Sequence, residues 1–218
     1  MKTLPAILDR PVRLTVLISG GGRTLLNLAD EIAAGNLHAE IPLVVASRPD
    51  CAGVERSRKA GLHCSVLERR NFDSVDSFSD AIFQQCRDVN ADLVIMAGYL
   101  CLVHIPEDFE HRVLNIHPSL IPSFSGHGFY GSRVHKAAIA RGVRVSGCTV
   151  HFADNEYDHG PVVVQRSVSI PEEATADDLA ALVFEQEQIA YPDAIRRVVS
   201  GRLTIDGQRT ILSEPPSV

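Results

Sequence analysis

The sequence predicts an α/β fold: a largely parallel central sheet with helices on both faces and a C-terminal antiparallel portion. Three observations carry this. Short β-branched runs alternate with helical stretches at βαβ spacing through the first half. A glycine cluster, Gly20-Gly21-Gly22, joins the first strand to the first helix. The second half instead holds two strands, one long helix and a hairpin signal.

Taken in order, RLTVLIS (Arg13 to Ser19) reads as a buried parallel strand that ends at the glycines. Thr24 to Ala34 has helical periodicity through Leu25, Leu28, Ala29 and Ile32. IPLVVAS is a second strand, Ala52 to Ala60 a helix ended by Gly61, and HCSVL a third strand. Asp73 or Ser74 caps a helix running to about Val89. DLVIMA (Asp92 to Ala97) and RVLNIH (Arg112 to His117) are the fourth and fifth strands. Pro118 to Gly131 is a loop rich in Pro, Gly and Ser, and loops of that length inside domains are usually functional. Ser132 to Ala140 reads as helix, GCTVHF and PVVVQRSVSI as strands. A long helix starts near Thr175 with a T-x-x-D capping box and continues past Pro192, a point for a kink. LTIDGQRTI closes as a hairpin with an Asp-Gly turn, and the tail SEPPSV reads as frayed.

At 218 residues the chain suits one domain, residues 1–218, with a nucleotide-binding-like half over 13–117 and a completing half over 118–212. The net charge of -6 opposes nucleic acid, and the longest basic clusters are only Arg69-Arg70 and Arg196-Arg197. The N-terminus lacks the apolar core of a signal peptide, and no apolar run is long enough to span a bilayer. A cytoplasmic protein without nucleic-acid or membrane partners is therefore expected. Five scattered cysteines without a CxxC pair read as reduced thiols, and the nine histidines show no metal spacing, so no metal is expected.

Two segments invite chemistry. In Ser19-Gly20-Gly21-Gly22-Arg23-Thr24, glycine backbone N–H groups at a helix start can approach an anion. Arg23 adds a bidentate contact and Thr24 a hydroxyl or a cap. The third glycine of the dinucleotide fingerprint is replaced by Leu25, which favours a single phosphate; a ligand-free tight turn is the plain alternative. The second segment is Asn115-Ile116-His117. Strand alternation points Asn115 and His117 to one side, at the carboxyl end of a parallel strand where such sheets bind ligands. On that spacing alone, a structural Asn and His beside a turn is the plainer reading.

The surrounding residues change that weight. AGYL (Ala97 to Leu100), NIHPSLIPSF, GCTVHF, the Asp158-x-Gly160-Pro161 segment, and the EQ and AYP pieces over Glu187 to Pro192 resemble the folate-dependent formyltransferase family. The resemblance covers nearly the whole chain. The ISGGG opening and small size are similar to the branch that uses glycinamide ribonucleotide. The resemblance implies a Rossmann-like formyltransferase fold. It implies formyl transfer from 10-formyltetrahydrofolate, as co-substrate, to the amine of glycinamide ribonucleotide in purine synthesis, by a monomer or homodimer acting on small molecules.

Carried over residue by residue, the resemblance makes Asn115, His117 and Asp158 the catalytic side chains. Asn115 and a protonated His117 would face the oxyanion, and Asp158 would raise the imidazole pKa. Gly21, Gly22, Arg23 and Thr24 would hold the acceptor phosphate, and Glu187 its ribose hydroxyls. Leu100, Cys101, Leu102 and Val103 would line the folate pocket, with Asp154, Asn155, Glu156 and Tyr157 on its other wall. By pattern alone Leu100 to Val103 is ordinary core, Asp158 a turn residue, His151 either site support or a satisfied core histidine, and Glu187 either pocket-facing or a solvated helix edge. The chain departs from the family at Arg23-Thr24, where a small polar pair is usual. It departs also at Val75 and Cys101, where a well-known bacterial form has arginines near the folate tail, and in its longer FSGHGFYGSRVH loop. Two other readings stand beside this one: a formyltransferase acting on another amine, such as an amino-sugar nucleotide, and a non-catalytic nucleotide-binding module.

Overall fold

A strand buried on both faces has to be apolar at consecutive positions, and the first half of the chain supplies such runs. In the computed structural model, which describes residues 1–214, the chain forms two compact units. One is Arg10–Asn115. The other joins Met1–Asp9 to the chain from Ile116 onward. Sequence halves at 117/118 therefore differ from the observed division by two residues, and they leave out the N-terminal piece. The last four residues of the tail read as frayed lie outside the described residues.

The N-terminal piece carries strand β1 (Lys2–Thr3). The Arg10–Asn115 unit contains β2 (Val12–Ile18), α1 (Arg23–Ala33), β3 (Ala39–Ala46), α2 (Ala52–Lys59), β4 (Cys64–Val66), α3 (Val75–Asp88) and β5 (Leu93–Met96). It also contains the first three residues of β6 (Val113–His117). All pairs here are parallel, in the order β4-β3-β2-β5-β6. Leu14, Val16, Leu17 and Ile18 are fully buried, as central strands under two layers must be. Helix α3 starts at Ser74, whose hydroxyl accepts from the Ser77 N–H (3.0 Å) in a reciprocal capping box. Short 3₁₀ turns over Arg69–Asn71 and Glu107–Phe109 were not expected.

The second unit is antiparallel. It holds α4 (Ser132–Arg141), β7 (Val145–Phe152), β8 (Val162–Ser169), α5 (Ala176–Val198), β9 (Leu203–Asp206) and β10 (Arg209–Leu212). Strands β7 and β8 pair with Thr149 opposite Gln165. Strands β1, β9 and β10 form a separate three-stranded sheet, a pairing with the N-terminus that the sequence did not suggest. Thr175 and Asp178 cap α5 reciprocally, and Leu179, Val183, Ala190, Ala194 and Ile195 form its buried stripe. The β9–β10 turn is centred on Gly207-Gln208 rather than Asp206-Gly207: Asp206 already pairs with Arg209, and Gly207 takes the positive φ of 58°. Among the described residues no helix is long and apolar enough to cross a membrane.

Candidate active site

The glycine loop closes the carboxyl end of β2. Gly22 is the N-cap of α1, with φ 70°, and no side chain caps this helix. Thr24 is therefore the second helical residue and not a cap. At Gly22 the loop has no room for a side chain. A Cβ at Gly22 would lie 3.0 Å from the Gly53 backbone, and the Gly53 N–H donates to the Gly20 carbonyl (3.0 Å). Arg56, from α2, donates to the Gly21 carbonyl. It brings a second cation to a loop where the sequence singled out only Arg23, which is exposed. Gly53 and Arg56 carry no local signature: nothing near them in sequence says that α2 starts against the first glycine turn.

The Leu100–Val103 stretch is tied to the same strand end. The Leu100 N–H donates to Ser19 Oγ (2.9 Å), which also accepts from Ser47 Oγ (2.6 Å). Leu100 is 57% exposed and only Val103 is buried, so this stretch is not the ordinary core that its hydropathy suggests. Val75 begins α3 and Cys101 is half-buried.

In the second unit His117 and Asp158 meet. His117, the last residue of β6, is buried, and its Nδ1 lies 3.3 Å from Asp158 Oδ2. Its Nε2 lies 2.8 Å from the Phe124 carbonyl. A carbonyl only accepts, so Nε2 carries the hydrogen. A neutral ring would then aim a bare Nδ1 lone pair at the carboxylate, and an imidazolium would aim an N–H there. Local contacts thus favour the charged ring, as the sequence reading supposed, but burial opposes it more strongly. Desolvation, aided by nearby His151, draws the His117 pKa below its usual value against the pull of Asp158 and the Phe124 carbonyl. That direction differs from the raised imidazole pKa expected from sequence, because burial of the ring counts against the pull of the carboxylate.

Asp158 is organised from three sides. The Gly126 N–H donates to Oδ2 (2.9 Å), His117 approaches the same oxygen, and His151 Nε2 lies 3.7 Å from Oδ1. That last distance exceeds a normal hydrogen bond, so the pull of His151 is mainly electrostatic. Burial pushes the Asp158 carboxyl up, yet the two imidazoles and the Gly126 N–H outweigh it and hold it below its usual value. Asp158 has φ 53°, a left-handed conformation that Asp tolerates better than most residues. Two residues on, Gly160 is obligatory in space: a Cβ there would lie 2.0 Å from the Phe152 carbonyl.

His151 combines both expected readings, a satisfied core histidine that also faces Asp158. It is buried, with Nδ1 bonded to the Phe152 carbonyl (2.8 Å) and its other nitrogen toward Asp158. Asn115 lies two residues before His117 on the same strand and is half-buried. Asp154 spends both oxygens inside its own loop, on the Glu156 N–H (2.9 Å) and on His159 Nδ1 (2.8 Å). Asn155, Glu156 and Tyr157 are exposed, and the Tyr157 ring packs edge-on against His127 at 5.8 Å. Glu187 is half-buried while Glu185 is exposed. Burial, and after it the Glu187 carboxylate, raise the thiol pKa of Cys148, on β7, to about 12. Among the described residues no group of three or more His, Cys, Asp or Glu is placed to hold a metal ion.

The class of protein, a transferase of formyl groups, is shown by comparison with known proteins. Residues 12–195 match the family described as Formyl transferase, and the chain belongs to that family. Among curated relatives, the phosphoribosylglycinamide formyltransferase of Haemophilus influenzae is 33% identical over 195 residues, covering 88% of this chain and 90% of the relative. The chloroplastic phosphoribosylglycinamide formyltransferase of Vigna unguiculata is 34% identical over 89% of this chain, which spans only 63% of that relative's length. Among solved structures, glycinamide ribonucleotide transformylase 1 from Symbiobacterium toebii superposes with a TM-score of 0.88 at 35% identity, over 95% of this chain and 96% of the other.

Proposed function

We propose that this chain is a single formyltransferase domain that moves the formyl group of 10-formyltetrahydrofolate onto the amine of glycinamide ribonucleotide, a step of purine biosynthesis. Family membership supports the reaction class, and the names of its relatives support the acceptor. The observation that carries the reading is the buried His117–Asp158 contact at 3.3 Å. It stands at the carboxyl end of the strand that also bears Asn115.

The chemistry needs little more than positioning and charge stabilisation. The acceptor nitrogen attacks the formyl carbon, and negative charge develops on the formyl oxygen. The Asn115 amide donates to that oxygen, while His117, whose two nitrogens face the Phe124 carbonyl and Asp158, holds the carboxylate beside the reacting atoms. Collapse breaks the bond from carbon to N10 of the folate. A proton leaves the acceptor nitrogen and N10 takes one up, and Asp158 with its two imidazoles can hold the proton in transit. In this reading Gly21, Gly22, Arg23 and Thr24, joined by Arg56, bind the acceptor phosphate, and Glu187 its ribose hydroxyls. Leu100 to Val103 and the loop from Asp154 to Tyr157 hold the folate. The protein works in the cytoplasm as a monomer or homodimer on small molecules, not on nucleic acid.

The test is turnover of 10-formyltetrahydrofolate followed by folate absorbance, with no acceptor, with glycinamide ribonucleotide and with an amino-sugar nucleotide. Turnover that depends on glycinamide ribonucleotide is expected. Equal turnover without an acceptor would make the chain a hydrolase. Turnover only with the amino sugar would move it to another branch, and nucleotide binding without turnover would make it a binding module.

A further inference from the structure

Strand β7 turns Gly147, Thr149 and His151 to one face, since residues two apart on a strand point the same way. His151 reaches Asp158, and the other two act on the segment that follows His117. At Gly147 a Cβ would lie 2.9 Å from Leu120 Cδ2 and 2.0 Å from the Arg166 carbonyl, so the missing side chain lets Leu120 seat against the strand. Thr149 is fully buried. Its Oγ1 donates to the Ser119 carbonyl (2.7 Å) and accepts from the Ile121 N–H (3.1 Å) and from Gln165 Nε2 (3.0 Å). A hydroxyl has one donor and two acceptor sites, and all three are used. Gln165, directly opposite on β8, also donates to the Ile121 carbonyl (3.0 Å).

The bonds continue toward the imidazole. Ser119 Oγ donates to the Ser123 carbonyl, and the next residue, Phe124, gives its carbonyl to His117 Nε2. Phe124 has φ 50°, uncommon for an aromatic residue, and is kept there by its surroundings. Separate hydrogen bonds, joined by the backbone of residues 119–124, thus connect one buried hydroxyl to the ring of His117.

We propose that Thr149, with Gln165 as its cross-strand partner, is a positioning residue for His117: it fastens the backbone of residues 119–121 so that the Phe124 carbonyl sets the ring's orientation, with Nδ1 toward Asp158. The proposal rests on the reading of His117 as the reacting imidazole, but its structural half can be measured without turnover. Valine is nearly isosteric with threonine and would leave the Ser119 carbonyl and the Ile121 N–H without their partner, whereas serine keeps the hydroxyl.

Thr149→Val, Thr149→Ser and Gln165→Leu would be compared with wild type by ¹⁵N spectra of the His117 ring across pH, and by kcat and KM. Thr149→Val is expected to alter the His117 tautomer signals and titration and to lower kcat by about 10- to 100-fold with little change in KM, while Thr149→Ser stays within about threefold of wild type. Gln165 is exposed, so Gln165→Leu should fold even if Thr149→Val does not, and should shift the His117 signals in the same sense by less. A folded Thr149→Val or Gln165→Leu protein with the wild-type His117 spectrum would overturn the proposal. A wild-type protein without transferase activity would instead overturn the formyl-transfer reading, and the ring spectra would still decide the positioning.

Discussion

Asp92 and Asp158 are two carboxylates at nearly equal burial, with side chains 12% and 11% exposed, and both are held below the usual carboxylate range. Their partners differ. Asp92, just before β5, takes Arg10 in a two-pronged contact (2.6 and 2.8 Å) and the Arg13 N–H (2.8 Å). Burial raises its pKa, and Arg10 and these bonds more than reverse the effect. Asp158 has one backbone N–H and two imidazoles. A guanidinium never gives up its proton in the working range, whereas an imidazole does. Position follows the same division. Asp92 precedes the amino end of a parallel strand, while His117 ends β6 at its carboxyl end, where sheets of this kind place ligands. One carboxylate is a fixed staple, and the other faces partners that can release their protons, as the proposed reaction requires.

The comparison breaks first at activity. His117→Ala is expected to lower kcat/KM by about 10²- to 10⁴-fold with an unchanged far-ultraviolet dichroism spectrum, because it removes both the partner that holds Asp158 and a proton carrier. Asp158→Asn keeps an acceptor for the Gly126 N–H but loses the charge that faces two imidazoles, and a loss of about 10²-fold or more is expected in the same assay. Asp92→Asn should leave kcat within about twofold of wild type. Near-normal turnover in either of the first two variants, or a large loss in the third, would reverse the assignment of staple and site.

Stability sharpens the contrast at smaller scale. Asp92→Asn breaks a charge-assisted contact, but Arg10 is 47% exposed and solvent screens it, so a loss of about 1–2 kcal/mol by urea unfolding is expected. A loss under about 0.3 kcal/mol would place Asp92 among ordinary surface pairs, which contribute little.

The parts of this contrast that were legible in sequence are those that depend on neighbours along the chain. Strand and helix alternation, the Ser74 and Thr175 caps and the end of β6 before Pro118 follow from short-range patterns. Asn115, His117 and Asp158 came from family resemblance, since spacing alone left a structural Asn and His as the plainer reading. The unread parts involve groups that leave no mark in local sequence. The Phe124 carbonyl and the Gly126 N–H belong to the backbone, which every residue carries. Alternation shows which way His151 points on β7 but not that Asp158 waits there. Two residues, Lys2 and Thr3, are too few for a strand signal and pair with a partner some 200 positions away. The direction of the His117 pKa depends on how deeply the ring is buried, and a charge partner inferred from sequence says nothing about depth.

That direction leads to the smallest of the expected effects. His117 binds its proton less readily in the fold than in the unfolded chain, whose value is about 6.5. Below that pH the unfolded chain takes up a proton that the folded protein resists, so stability falls as pH drops from about 6.5 through the folded pKa, and above it this group contributes nothing. His135, buried in α4 and lowered by desolvation and by His117, acts in the same sense. Asp92 and Asp158 act lower: their stabilisation is complete above the unfolded value of about 3.9 and is lost as pH falls through their depressed values. Thermal unfolding should therefore weaken in two stages on acidification. His117→Gln should shrink the upper stage, leaving the share of His135, without touching the part of the lower stage due to Asp92. Asp92→Asn should do the reverse. A wild-type Tm that stays level between pH 7 and pH 5 would mean that Asp158 keeps the imidazole charged against burial, and that the carboxylate at this site behaves as the staple does.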